Sequence, residues 1–195
     1  MNRKGILFVI SGPSGVGKGT LKKALLNQTR DLNLSISATT RAARPGEVHG
    51  QHYFFVDQVR FREMIEEDAF LEWAQVYSNL YGTPREFVLN HLQQGRDVLL
   101  EIDIQGALQV KEKMPSGVFI FIYPPNLKEL AFRLVSRGQD SKDSIEARLA
   151  ACENELKHID YYDYLVVNDK IDRALQKITA IIIAERCKIK NLNMR

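Results

Sequence analysis

Short apolar runs alternate with amphipathic stretches along most of the chain. The runs at residues 6–10, 97–102, 118–122 and 164–167 are rich in apolar and β-branched residues, which is typical of strands buried on both faces. Apolar residues at helical spacing predict helices that include residues 21–25, 105–113, 127–135, 145–156 and 174–182. Strands that alternate with helices indicate an α/β fold, in which a parallel sheet is flanked by helices.

Two segments interrupt this alternation. Residues 35–90 are polar, aromatic and rich in turn signals, such as Pro45-Gly46, and we interpret them as an insertion into a core formed by residues 1–34 and 91–195. Residues 136–143 contain almost no apolar side chain, which predicts a flap between two helices.

The composition excludes several classes of protein. The 195 residues are 45% hydrophobic and 26% charged, which is typical of globular proteins, and no apolar stretch is long enough to span a membrane. A net charge of +3 without a clustered basic patch does not indicate nucleic-acid binding; it suits small anionic substrates or an ordinary solvated surface. Cys152 and Cys187 lie outside any C-x-x-C pair, and no secretion signal is recognisable, so we expect a cytoplasmic protein without a disulfide framework. Cys152 lies on an apolar stripe and is expected to pack in the core.

A phosphate-binding loop follows the first predicted strand. Residues 12–20 read GPSGVGKGT, which matches G-x-x-x-x-G-K between a strand and a helix. Glycine lets backbone N–H groups approach an anion closely, and Lys18 adds a positive charge for the β and γ phosphates. The motif normally continues with a Ser or Thr that coordinates Mg²⁺, but this chain has Gly19. The ion must therefore be held by phosphates, water and either Thr20 or an acidic residue, and no direct protein ligand is assigned; Thr20 is a candidate.

A second dense segment, TTRAARPGE at residues 39–47, carries two arginines three positions apart. Arg41 and Arg44 can form a fork for a second phosphate or belong to a solvated surface. Further along, Glu72 taken alone could lie on an exposed strand, and the neighbouring Trp73 is expected to pack in the core.

Taken together, these segments resemble the guanylate kinase family of P-loop nucleoside monophosphate kinases, from residue 5 to about residue 183. The resemblance is carried by SGPSGVGK at 11–18, SATTR at 37–41, RPGE at 44–47, EWA at 72–74, YGT at 81–83, IDIQG at 102–106, LVSRG at 134–138 and VND at 167–169.

The resemblance implies ATP-dependent phosphorylation of GMP to GDP, within purine nucleotide metabolism and GTP supply, with Mg²⁺ as the cofactor of ATP. It makes residues 35–90 the GMP-binding subdomain and 136–150 a lid within the core. The implied ATP-binding residues are Gly12, Pro13, Ser14, Gly15, Val16, Gly17, Lys18, Gly19, Thr20 and, next to adenine, Asn168, although an Asn-Asp pair before a helix is also an ordinary N-cap. The implied GMP-binding residues are Arg41, Arg44, Tyr53 and Tyr81 at the phosphate, and Ser37, Glu72, Thr83 and Asp103 at the guanine. The implied catalytic side chains are Lys18, Arg41, Arg133, Arg137 and Arg148.

Two alternatives stay open at this stage. The acceptor could be AMP or a pyrimidine nucleotide, although guanine is the base whose adjacent N1–H and N2–H₂ donors suit the Glu72 carboxylate. The chain could also be a binding module of the kind found in scaffolding proteins, although Lys18 and the intact loop favour an enzyme. Neither a monomer nor a homo-oligomer is favoured by the sequence.

Overall fold

The computed structural model describes residues 3–29, 31–76, 78–136, 152 and 155–192. Nine strands are described: β1 (Leu7–Ser11), β2 (Leu32–Leu34), β3 (Ala38–Thr39), β4 (Phe54–Phe55), β5 (Phe70–Val76), β6 (Asn79–Pro84), β7 (Asp97–Glu101), β8 (Val118–Tyr123) and β9 (Tyr164–Val167). The longer helices in these ranges are α1 (Lys18–Gln28), α2 (Gln58–Glu66), α3 (Arg85–Gln93), α4 (Ile104–Lys113), α5 (Leu127–Ser136) and α6 (Ile171–Arg186).

Five strands form the predicted parallel sheet, in the order β2-β7-β1-β8-β9. Side chains alternate between its two faces. On β1, Phe8 and Ile10 pack in the cluster that includes α1 and α6, whereas Leu7 and Val9 pack in the cluster that includes α3 and α4. Helices therefore cover both faces, as predicted, and the carboxyl ends of the strands remain open for a ligand.

The individual predictions hold closely within the described residues. The strand predicted at 97–102 ends at Glu101, and the helix predicted at 105–113 begins at Ile104. The predicted helix at 145–156 lies mostly outside the described residues, but Cys152 is fully buried in the core, as expected. Neither cysteine forms a disulfide, and no helix in the described ranges is long and apolar enough to cross a membrane.

Residues 35–90 contain a second sheet, which the sequence pattern did not predict. Its order is β4-β3-β6-β5, with a parallel β3–β4 pair and antiparallel β3–β6 and β5–β6 pairs. Helix α2 contributes Phe61 to a small separate cluster with Ala38 and Phe70. The predicted boundaries at residues 35 and 90 stay a prediction.

A buried carboxylate ties the two ends of the chain to the main sheet. Asp97, at the start of β7, is fully buried and bonds to Arg3, with one contact of 2.8 Å, and to Arg186 on α6 at 2.7 Å. Its Oδ1 also accepts the Ile6 N–H at 2.9 Å. Because strands β1 and β7 are parallel, this cluster lies at the end of the sheet opposite the phosphate-binding loop.

Candidate active site

The loop after β1 has the backbone that the glycine motif predicts. Gly12 has φ +145°, and a Cβ there would lie 2.3 Å from the Ile122 carbonyl oxygen. Gly17, which precedes the first residue of α1, has φ +96°. Because only glycine adopts such angles readily and fits so close to backbone, the loop can wrap an anion at the N-terminus of α1.

Lys18 extends back over this loop. Its Nζ donates to the carbonyl oxygens of Gly12 at 2.5 Å and Pro13 at 3.0 Å. The ammonium group is therefore held at the mouth of the loop, where phosphates of a nucleotide would lie.

Asn168, directly after β9, holds the loop from the same edge of the sheet. Its Nδ2 donates to the Val16 carbonyl at 2.8 Å, and a Cβ on Gly17 would lie 2.7 Å from the same nitrogen. Asn168 is not the N-cap of α6, because that helix begins at Ile171 and Lys170 occupies the N-cap position. The predicted contact of Asn168 with adenine stays a prediction, but its amide is fixed to the loop.

A cavity of about 400 Å³ lies beside the loop, between α5 and the start of α6. Arg133 enters it from α5, where its guanidinium bonds to Glu129 at 3.0 Å and to the Asn168 carbonyl at 3.1 Å. The predicted residues Gly15, Gly17, Thr20, Arg133 and Asn168 line the cavity, together with Glu129, Phe132, Asp169 and Ile171, which sequence reasoning missed. Arg137, Arg148 and the lid beyond Ser136 lie outside the described residues.

Arg41 lies on the other side of the crevice, and Glu47 holds it. The guanidinium makes two contacts to Glu47, at 2.8 and 2.9 Å, and the Arg44 N–H donates to the same carboxylate at 2.8 Å. The hydrogen bond from Arg41 lowers the pKa of Glu47 to about 2, with the Arg44 N–H contributing. The Arg41 guanidinium also lies over the Tyr53 ring, 5.4 Å from its centroid. The Tyr53 and Tyr81 rings are 6.1 Å apart, so three of the four predicted phosphate ligands are neighbours.

Glu72 is buried, as predicted, with 7% of its surface exposed. The Thr83 hydroxyl donates to Glu72 Oε1 at 2.5 Å, so two of the predicted guanine ligands are in contact. Burial raises the pKa of Glu72 to about 7, and the negative charge of Asp103 adds to this effect, while the hydrogen bond from Thr83 opposes it. The expectation for Trp73 was wrong: the residue is 39% exposed, because the inner face of β5 at this point is occupied by Glu72.

Helix α4 approaches Glu72 closely. A Cβ on Gly106 would lie 2.9 Å from Glu72 Oε2, so only glycine leaves the carboxylate its present position. Asp103 caps the helix, accepting the Gly106 N–H at 2.8 Å. The predicted guanine ligands Glu72, Thr83 and Asp103 therefore converge at the N-terminus of α4.

A cavity of about 260 Å³ lies next to Thr83, and it is lined by the predicted residues Ser37, Tyr53 and Thr83 and by others including Lys22, Ser35, His52 and Glu101. Lys22 and Glu101 form an ion pair at 2.6 Å that sequence reasoning missed. Two signals could have found it: Lys22 lies one helical turn after Lys18, and Glu101 ends a predicted strand at the ligand-binding edge.

Glu101 also faces the phosphate-binding loop. Its Oε1 is 3.8 Å from the position that a Cβ on Gly19 would take, where the general motif carries a hydroxyl. Within the described ranges, no three His, Cys, Asp or Glu side chains form a cluster that could hold a metal ion by themselves. A divalent cation at this position would therefore depend on phosphate oxygens brought by the nucleotide.

Comparison with known proteins gives a consistent result. A sequence model of the family described as guanylate kinase matches residues 4–185. The chain is 95% identical to a guanylate kinase of Syntrophomonas wolfei over the full length of both, and 58% identical to one of Caldanaerobacter subterraneus, covering 97% of this chain and 92% of the relative. The crystal structure of guanylate kinase from Anaplasma phagocytophilum matches with a TM-score of 0.76 and 34% identity, over 97% of this chain and 90% of that one.

Proposed function

Because the chain belongs to the guanylate kinase family and phosphorylates GMP to GDP with ATP, we propose how its residues divide that work. The loop at residues 12–20, Lys18 and Arg133 bind the ATP phosphates, and Asn168 binds at the adenine end. The sheet within residues 35–90 binds GMP, its phosphate on the Arg41 side and its base at Glu72. The observation that carries this assignment is the buried contact of Glu72 with Thr83, and Thr83 lines the second cavity.

Arg41, Arg44, Tyr53 and Tyr81 form the proposed GMP phosphate site. Arg41 is already oriented by Glu47 and by the ring of Tyr53, so little side-chain freedom is lost when a phosphate binds. A phosphate dianion carries more charge than the Glu47 carboxylate, and Arg41 can share its donors between the two.

Glu72 is the proposed base reader. Ionised Glu72 accepts N1–H and N2–H₂ of guanine, with Thr83, Ser37 and Asp103 completing the polar wall. Adenine presents an acceptor at N1 and no donor at C2, so neither of these two hydrogen bonds to the carboxylate could form. Two hydrogen bonds to a charged group contribute several kcal/mol, and their loss corresponds to discrimination of roughly a thousandfold.

The transfer needs no protein base. The second pKa of a phosphate monoester is about 6, so the GMP phosphate is mostly a dianion at neutral pH. One of its oxygens attacks the γ phosphorus of ATP in line. The bond between the γ phosphorus and the oxygen that bridges the β and γ phosphates breaks, and ADP leaves with that oxygen. Lys18, Arg41 and Arg133 position the two nucleotides and offset their negative charge. Arg137 and Arg148, on the lid, are proposed to act with them.

We include Mg²⁺ as the cofactor that accompanies ATP. Thr20 and the Glu101 carboxylate are the residues that fit it, because Glu101 faces the place of the missing hydroxyl at Gly19. When bound with ATP, the ion would neutralise charge on the β and γ phosphates.

A nucleotide panel tests the assignment. GMP, AMP, UMP and CMP are compared as acceptors in a coupled ADP-release assay, for the wild type and for Glu72→Gln. We expect GMP to be strongly preferred by the wild type and the preference to fall selectively in the variant, with the KM for ATP unchanged. An unaltered KM for GMP in Glu72→Gln would show that Glu72 does not read the base.

A further inference from the structure

Strand β5, which carries Glu72, has one edge that no other strand of the described residues pairs with. It pairs with β6 on one side and faces α4 on the other. The backbone N–H and C=O groups on such an edge require other partners. Gln109, on α4, supplies two of them: its Oε1 accepts the Trp73 N–H at 3.1 Å, and its Nε2 donates to the Trp73 carbonyl at 3.2 Å. The primary amide thus takes the place of a neighbouring strand at the residue that directly follows Glu72.

The backbone of β5 needs support next to Glu72 because its pairing with β6 is irregular there. The β5–β6 register shifts between Phe70 and Glu72, so the strand ladder is irregular just before the base reader. A bulge of this kind lets a strand bend, and the position of Glu72 is then not fixed by the residues before it. The Gln109 amide fixes the peptide on the other side of Glu72.

The same helix contacts the Glu72 side chain as well. Gly106 lies three residues before Gln109, on the same face of α4, and leaves room for Glu72 Oε2. Helix α4 therefore determines both where the backbone of Glu72 lies and how far its carboxylate extends.

We propose that Gln109 is a positioning residue for guanine selectivity: it holds the Trp73 peptide so that both Glu72 oxygens can accept the paired donors of guanine. The inference rests on the proposed role of Glu72. Gln109 does not touch the nucleotide itself; it acts through the strand. Its loss should therefore affect discrimination of the base more than turnover or ATP binding.

Inosine monophosphate is the appropriate probe, because it has the N1–H of GMP but lacks the 2-amino group. If β5 shifts, GMP loses the bond from its amino group, whereas inosine monophosphate has no such bond to lose. The preference for GMP, measured as a ratio of kcat/KM values, should then fall.

The chain offers a matched control on the same helix and strand. Lys113 Nζ bonds to the Phe70 carbonyl at 2.7 Å and to Asp68 at 2.5 Å, on the far side of the register shift from Glu72. Lys113→Met therefore loosens the same contact between α4 and β5 without releasing Trp73. Methionine in Gln109→Met is a good helix former of similar length, so both variants should keep α4 intact.

The test compares Gln109→Met, Lys113→Met and Glu72→Gln in steady-state kinetics with GMP, inosine monophosphate and ATP, with thermal melting as a check on folding. For Gln109→Met we expect the KM for GMP to rise about tenfold, the equivalent of one to two lost hydrogen bonds, and the preference for GMP to fall by a similar factor. The kcat at saturating GMP and the KM for ATP should stay within about twofold, because the transferring groups are untouched.

Each outcome decides a different point. An unchanged GMP preference in Gln109→Met, or an equal loss in Lys113→Met, would overturn the positioning role. If Glu72→Gln itself keeps the preference, the base-reading role of Glu72 fails, and the inference about Gln109 fails with it. If Glu72→Gln and Gln109→Met both lose the preference for GMP and Lys113→Met keeps it, the result supports the base-reading role of Glu72 and the positioning role of Gln109.

Discussion

GMP binding should weaken as the pH falls from 8 to 6, because Glu72 must be ionised to accept two donors from guanine. Burial raises the pKa of this carboxyl to about 7. With that value, about nine-tenths of Glu72 is ionised at pH 8 and about one-tenth at pH 6, so the dissociation constant for GMP should rise about tenfold over this range. The ligand therefore displaces a proton from the site when it binds near neutral pH.

The GMP phosphate titrates in the same range, and its contribution to the pH dependence of binding must be subtracted. Its pKa of about 6 contributes roughly a further twofold loss between pH 8 and pH 6. Glu72→Gln keeps this contribution and removes that of the carboxyl. Isothermal titration calorimetry in buffers of different ionisation enthalpy should give a release of about half a proton more for the wild type than for the variant at pH 7.

Glu72 should also affect folding, with a defined sign. Because its pKa is higher in the folded chain than the ordinary 4.5, the stability that it contributes is fully present below pH 4.5 and is lost as the pH rises through 7. The loss is at most about 3 kcal/mol. Urea unfolding of the wild type and Glu72→Gln at pH 5 and pH 8 isolates this contribution. Equal pH dependence in the two proteins, in binding and in unfolding, would refute the reasoning.

Three further substitutions test other parts of the structure. Gly106→Ala places a Cβ 2.9 Å from Glu72 Oε2, so the KM for GMP should rise about tenfold while the melting temperature stays the same or rises, since alanine favours the helix; unchanged GMP kinetics would contradict the close approach. Asp97→Asn leaves Arg3 and Arg186 facing a buried neutral amide, so the free energy of unfolding, measured by urea titration, should fall by about 3 kcal/mol. The KM values for GMP and ATP should change little at low temperature, where the variant is folded. Gly19→Ser should tighten Mg²⁺ binding in the presence of ATP several-fold, because a Cβ there meets nothing closer than Glu101 at 3.8 Å and the serine hydroxyl can coordinate the ion. Calorimetric titration of the ATP complex with Mg²⁺ measures this affinity, and an unchanged value would show that the hydroxyl does not coordinate the ion.

The main sheet could be predicted from the sequence because its strands are buried on both faces. Phe8 to Ile10 and Val118 to Ile122 are uninterrupted apolar runs, and such runs admit few other interpretations. The second sheet could not be predicted, because β3 and β4 have two residues each and lack a period long enough to recognise. Its small cluster around Phe61 and Phe70 depends on residues from three elements that only the fold brings together.

Trp73 shows why hydrophobicity alone misplaces residues at a binding site. Adjacent residues on a strand face opposite sides, so one of Glu72 and Trp73 had to lie outside. Hydrophobicity predicts that the Trp73 indole is buried, but the Glu72 carboxylate lies on the inner side of the strand and Trp73 is exposed. Asn168 illustrates a second limit: its bond to Val16 joins residues 152 positions apart, and no local pattern indicates it.

The cations of the site share a feature that bears on how phosphate binds. In the described part of the chain, several of them have an internal acceptor: Lys18 with the Gly12 and Pro13 carbonyls, Lys22 with Glu101, Arg41 with Glu47 and Arg133 with Glu129. These contacts lie at the edge of an open crevice and orient the side chains, and a stronger acceptor can displace them. A phosphate group offers more charge and three oxygens, and can take over these donors with little rearrangement. The carboxylates so released lie at the margin of the crevice, where Glu101 already faces Gly19, the position at which the phosphate-binding motif lacks its usual hydroxyl.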